Sequence, residues 1–111
     1  MYLTNEDEHE YRHGGHGPKY LEQGPVVEFG VVRLLPGEVI KAHKHMQVHE
    51  CFYILEGEFS FSVEGKEILR TAGDYLRLEP GEGHEITNIS ENPAKMVIVK
   101  SPFVPGDKVD L

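Results

Sequence analysis

The stretch AHKHMQVHECFYI, residues 42–54, places His43, His45, His49 and Glu50 within eight residues between two apolar runs. On an extended strand, side chains two residues apart leave the same face, so His43 and His45 point the same way. A turn through MQVH resets the alternation, after which Glu50, Phe52 and Ile54 share the inward face of the next strand. Two antiparallel strands can therefore bring His43, His45 and Glu50 together. His84, which follows the glycine turn EPGEG and opens another strand, is the candidate fourth member. Three imidazoles and one carboxylate suit one divalent transition ion: Fe, Mn, Ni, Zn, Co or Cu. Calcium and magnesium prefer oxygen ligands throughout. On a six-coordinate ion, four protein ligands leave two positions for substrate, water or dioxygen, as Lewis-acid or oxygen chemistry requires.

The elements that must position these residues are short. From Val26 onward, VVEFGVVRLL, EVIKAHKH, ECFYILE, EFSFSV, EILRT, DYLRLE, HEITNIS and KMVIVKS are rich in Val, Ile, Phe, Tyr and Leu. Between them stand PGE, EGE, EGKE, AGD, EPGEG and ENPA, all turn chemistry. Phe59, Phe61 and Val63 alternate with Glu58, Ser60 and Ser62, the period of a half-buried strand. No segment carries a long helical period. About eight closely spaced strands predict an all-β sandwich or closed barrel in one domain, residues 26–111. Residues 1–25, polar and glycine-rich, read as an extended N-terminal arm with Tyr20 and Leu21 as its anchor. The tail PFVPGDKVDL reads as a surface segment.

The two clusters resemble the paired motifs of the cupin superfamily, in particular its small single-domain members. The first motif, G(X)5HXH(X)3,4E(X)6G, is met by Gly37, His43, His45, Glu50 and Gly57. The second, G(X)5PXG(X)2H(X)3N, is met by Gly73, Gly81, His84 and Asn88; its proline position holds Glu79, with Pro80 one residue later. The resemblance covers about residues 26–101. It implies an antiparallel jelly-roll barrel, the double-stranded β-helix, with a metal inside one end. It also implies a homodimer, built through the arm or an exposed edge strand. It does not choose a reaction, because one fold hosts many chemistries. Gly37 and Gly57 are expected at turns with positive φ, Gly81 and Gly83 at the sharp approach to His84, and Asn88 at a turn it ties down.

Other residues divide between chemistry and packing. The first motif allows two loop lengths, so His49 is the alternative to Glu50, or a partner that orients it; the count to Gly57 favours Glu50. Cys51 should face away from the cluster and pack. His9, His13 and His16 lie in the arm and are expected in solvent. Lys41, on the His43 face if alternation holds, could reach a substrate carboxylate, and Arg33, Arg77, Tyr53 and Tyr75 are further pocket candidates. Phe52, Ile54, Phe59, Phe61 and Ile98 read as core, some also as an apolar pocket wall.

Composition sets outer bounds. The chain has 111 residues, 11 Lys plus Arg against 19 Asp plus Glu, and a formal net charge of −8. That balance speaks against nucleic acid and anionic membrane as partners. One cysteine permits no intrachain disulfide, and MYLTNEDEHE has no leader-like apolar stretch, so a cytoplasmic protein is expected. Two functions follow. One is an enzyme acting on a small oxygen-bearing molecule, of dioxygenase, decarboxylase, isomerase or lyase type, with no evident general base. The other is a module that binds a metal or metabolite without turnover.

Overall fold

A computed structural model describes all residues, 1–111. Ten strands carry the fold: β1 (Gly17–Gln23), β2 (Glu28–Leu34), β3 (Val39–His45), β4 (His49–Glu56), β5 (Glu58–Val63), β6 (Lys66–Thr71), β7 (Tyr75–Leu78), β8 (His84–Asn88), β9 (Ala94–Ser101) and β10 (Lys108–Asp110). They form two five-stranded antiparallel sheets, ordered β1-β2-β9-β4-β7 and β10-β3-β8-β5-β6. The only helical segment is a 3₁₀ turn at Glu6–Glu8, and no helix is long and apolar enough to cross a membrane. The all-β jelly roll expected from the sequence is the fold observed.

Period-2 patterning places the core. On β4, Glu50, Phe52 and Ile54 are buried while His49, Tyr53 and Leu55 are exposed; on β5, Phe59, Phe61 and Val63 are buried. These meet Leu34, Ile86, Met96 and Ile98 from the facing strands. Each fully buried side chain of this size stabilises the fold by about 1.5–3 kcal/mol. The Phe52 and Phe61 rings lie edge to face, 5.3 Å between centroids. Phe52 also lies 6.3 Å from the His84 ring, so the aromatic core ends where the histidine cluster begins.

Gly57 and Gly37 adopt φ of +88° and +78°, as expected of those turns. Gly57 has a second reason to be glycine: a Cβ there would overlap that of Ala94, which is fully buried.

Two parts of the chain are more ordered than the sequence suggested. Gly17–Gln23 is not loose arm but β1, paired with β2 from Gly17↔Arg33 to Gln23↔Glu28. A bulge between Tyr20 and Glu22 breaks the alternation, which removes the period that would have signalled a strand. Residues before it lie over the outer face of that sheet. Glu6 meets Lys19 at 3.3 Å and Lys95 at 2.6 Å, and the outward-facing Val31 is 6 % exposed. The tail is likewise not a free surface run. Asp107 is buried, and β10 pairs with β3, Lys108↔His45 through Asp110↔His43.

The four sheet edges are β1, β7, β6 and β10. Of these, β7 has four residues and β10 three, β1 carries the bulge, and β6 presents Lys66, Glu67 and Arg70.

Candidate metal centre

Three strands converge at one end of the barrel. β3 brings His43 and His45, β4 brings Glu50 as its second residue, and β8 opens with His84. Their burial is nearly complete, at 5, 6, 5 and 2 % exposed, and one ligand atom from each lies within 4.8 Å of all the others. The structure thus brings together the four residues selected by spacing.

Local devices hold them there. Between Ile40 and His43 the β3–β8 register slips by one residue, from Ile40↔Ile86 to His43↔His84. This bulge lets Ile40 pack inward and His43 point inward as well, which strict alternation forbids. The turn before His84 is tied to β3 by the Gly81 N–H, which donates to the His45 carbonyl at 2.7 Å. The connection between His45 and Glu50 is held from the C-terminal segment. The Asp107 carboxylate accepts the backbone N–H groups of Met46, Gln47 and Val48 at 3.0–3.1 Å. Asn88 donates to the carbonyls of Leu34 and Asn92 and accepts from the Ser90 N–H, fastening turns as expected.

Hydrogen bonds also fix which ring nitrogens face inward. His43 Nδ1 lies 2.8 Å from the Lys41 carbonyl, and His84 Nδ1 lies 3.0 Å from that of Glu82. A carbonyl only accepts, so each Nδ1 carries its proton and each neutral ring turns the Nε2 lone pair to the centre. His84 Nε2 is 3.1 Å from Glu50 Oε1, and His45 Nε2 is 3.4 Å from the same oxygen without a hydrogen-bond partner anywhere. In that tautomer His84 Nε2 is an acceptor facing an acceptor in a buried space, and His45 Nε2 approaches the same oxygen without completing a hydrogen bond. A proton or a cation between them resolves the conflict, and this donor set is the one divalent transition ions take. The four residues could therefore hold a metal.

Burial by itself raises the Glu50 carboxyl, but the His45 and His84 imidazoles and the Lys100 ammonium outweigh it and hold the group far below the usual carboxylate range. Burial pushes the His43 imidazole down, opposed by its bond to the Lys41 carbonyl. Burial also lowers Lys100, yet Glu50, Tyr20 and Glu28 together leave it raised.

A cavity of about 570 Å³ opens from this centre. Val32, Leu34, Ile40, Phe52, Ile86 and Ile98 form its apolar wall. Lys100, missed in the sequence because KMVIVKS reads as a strand ending in solvent, reaches in from β9. Its Nζ lies 3.1 Å from Glu28, 3.4 Å from the Tyr20 hydroxyl and 3.9 Å from Glu50 Oε2. Glu28 and Asp107 were missed for another reason: each is a lone acid beside a turn, and only long-range pairing gives it a role.

Several expectations are corrected. His49 does not touch Glu50; it faces outward and pairs with Glu79 at 3.0 Å. Glu79 is the residue that departs from the motif proline. Arg33 donates to the Gly15 carbonyl on the outer face, Arg77 pairs with Glu79 in solvent, and Tyr53 and Tyr75 are exposed. Lys41 lines the cavity mouth from an exposed position. Cys51, as expected, faces away from the centre, 3.0 Å from the Tyr75 hydroxyl. In the arm His13 is exposed, but His16 is half-buried against Glu38 at 2.9 Å and His9 against Thr4 at 2.7 Å.

Comparison with known proteins gives the same picture. An oxalate-binding protein from Thermotoga maritima is 35% identical over 71 residues, 64% of this chain and 59% of that one. The tetracenomycin polyketide synthase protein TcmJ from Streptomyces glaucescens is 32% identical over 76 residues, 68% of this chain and 51% of that one. The chain thus spans half to three-fifths of the length of these relatives. Among solved structures, a Klebsiella pneumoniae protein with a double-stranded β-helix domain superposes with a TM-score of 0.82 at 22% identity, covering 99% of this chain and 96% of the other. The Cupin_2 model, described as a cupin domain, matches residues 30–100, which takes in every strand that carries a member of the histidine–glutamate cluster. This chain belongs to the cupin family.

Proposed function

We propose that the chain is a metal-dependent cupin enzyme that binds a small oxygen-bearing organic molecule beside one divalent ion held by His43, His45, Glu50 and His84. The observation that carries this reading is the convergence of four buried side chains with a ligand atom of each within 4.8 Å of the others, together with a His45 Nε2 that makes no hydrogen bond. A bound ion would supply Lewis acidity toward a carbonyl or carboxylate, or a seat for dioxygen. The chain's own residues do the rest. The Nδ1 protons of His43 and His84 hold the rings in place, the apolar wall keeps bulk water from the ligand, and Lys100 keeps a positive charge beside Glu50.

The alternative is a module that binds without turnover, supported by the likeness to the oxalate-binding protein of Thermotoga maritima. The TcmJ likeness supports the enzyme reading. Elemental analysis of untagged protein, beside the His43→Ala/His84→Ala double variant, tests the metal-dependent premise. About one equivalent of a transition metal is expected in the parent and loss of it in the variant. A parent that takes up no metal even after reconstitution would sink the enzyme reading and leave a module that binds an organic ligand. Incubating the loaded protein with small acids, diketones and phenols then separates them: an enzyme forms product, while a binder only gains thermal stability.

A further inference from the structure

We propose that the ligand of this site is a singly charged organic acid with an apolar body, its acid group held beside the Lys100 ammonium and its body against the wall of Val32, Leu34, Ile40, Phe52, Ile86 and Ile98. This rests on the metal-dependent reading above. It adds a ligand class and a specificity residue.

The first argument is charge. Apart from neutral imidazoles, the groups enclosed at the inner end are Glu50, Glu28 and Lys100, with side chains 7, 16 and 19 % exposed. Two carboxylates and one ammonium sum to −1, and a divalent ion brings the enclosed total to +1. One negative charge on the ligand neutralises it. A dianion overshoots, leaving a net buried charge, which a low-dielectric site disfavours. The rim favours anions in general: Arg12, Lys41 and Lys108 stand at the mouth against Glu38, although the whole chain is strongly acidic. Glu38 is engaged by His16 and the Leu35 N–H, and Lys108 lies 3.6 Å from Asp110. The rim thus steers an anion inward, while the enclosed groups set how much charge is accepted.

The second argument is shape. A cavity of about 570 Å³ is of the size that houses drug-sized ligands. A two-carbon diacid would leave most of the apolar wall against water. A carboxylate or enolate carrying a branched or aromatic body would cover it. Lys100 is placed to read the acid end, since its Nζ is within 4 Å of Glu50 and is braced on the other side by Glu28 and Tyr20.

Calorimetric titration of zinc-loaded protein with 4-methyl-2-oxopentanoate and with oxalate tests the idea, with metal content measured on the same samples. The branched monoanion is expected to bind at least about tenfold more tightly than oxalate. Lys100→Met keeps the stem and removes the charge. It should keep its metal and lose about tenfold or more in monoanion affinity, the usual range for one charge-assisted contact. Glu28→Gln raises the enclosed charge by one and should shift preference toward oxalate. It decides the question should Lys100→Met fail to fold. A metal-loaded parent that prefers oxalate overturns this inference alone, as does a folded, metal-loaded Lys100→Met with unchanged monoanion affinity or Glu28→Gln with unchanged ligand preference. A parent that takes up no metal overturns it together with the reading beneath it.

Discussion

Asp107→Ala tests whether the C-terminal segment holds the loop between His45 and Glu50. One oxygen of Asp107, Oδ2, accepts three successive backbone N–H groups, from Met46, Gln47 and Val48, and Oδ1 accepts a second contact from Gln47. The three amides are not equivalent. Met46 is 52 % exposed and Gln47 is also exposed, so water can replace the carboxylate there, at about 0.5 kcal/mol each. Val48 is 3 % exposed, and its N–H would be orphaned at about 2 kcal/mol. The sum is about 3 kcal/mol, or about 12 °C in Tm for a domain of this size. Asp107→Asn separates charge from geometry. Its remaining oxygen can occupy the Oδ2 position and keep all three bonds, so about 1 kcal/mol is expected. Because the loop connects two members of the cluster, zinc affinity should fall about tenfold or more in the alanine variant. Thermal melts of metal-free protein and competitive zinc titration measure the two effects. An alanine variant within about 2 °C of the parent, with zinc affinity within about twofold, would refute the reasoning.

Two more outcomes are expected. Gly57→Ala combines a residue at φ +88° with overlap against the buried Ala94, and should cost about 3 kcal/mol in urea denaturation; a loss below about 1 kcal/mol would show that β9 shifts freely. The metal-free protein should lose stability in acid. Glu50 and His43 are both held below their ordinary values, 4.5 and 6.5, so the unfolded chain binds protons first. Stability should decline as pH falls below about 6.5 through His43 and again below 4.5 through Glu50. Glu50→Gln should make the second decline shallower, with Glu6 and Glu8, also held below the ordinary carboxylate value, supplying what remains, and an unchanged acid limb in that variant would contradict the assignment.

The core strands and the cluster were legible because each pattern is local. Phe59, Phe61 and Val63 announce their face in six residues, and His43, His45 and Glu50 fall on one motif whose glycines mark its ends. What stayed hidden is non-local. Lys100 becomes a pocket residue only because β9 lies between β2 and β4, which sets it beside Glu28 and Glu50. Asp107 acts about 60 residues from its partners. β1 was obscured by its bulge, and the bulge at Ile40–His43 defeated the parity argument that placed Lys41 on the His43 face. His49 lost its proposed role because strand pairing turned it toward Glu79.

The pairing of β10 with β3 has a consequence for how the molecule meets other chains. Without Lys108–Asp110, the strand bearing His43 and His45 would be a free edge, with unpaired N–H and C=O groups beside the cavity. Such an edge templates any extended peptide, including a second copy of itself. A three-residue strand is long enough to occupy those positions and too short to offer a useful new edge. Its neighbours at the other three borders are short, bulged or charged. The segment that looks most dispensable in the sequence therefore shields the ligand-bearing strand from open-ended association, at the place where addition of a foreign strand would reach the cluster first.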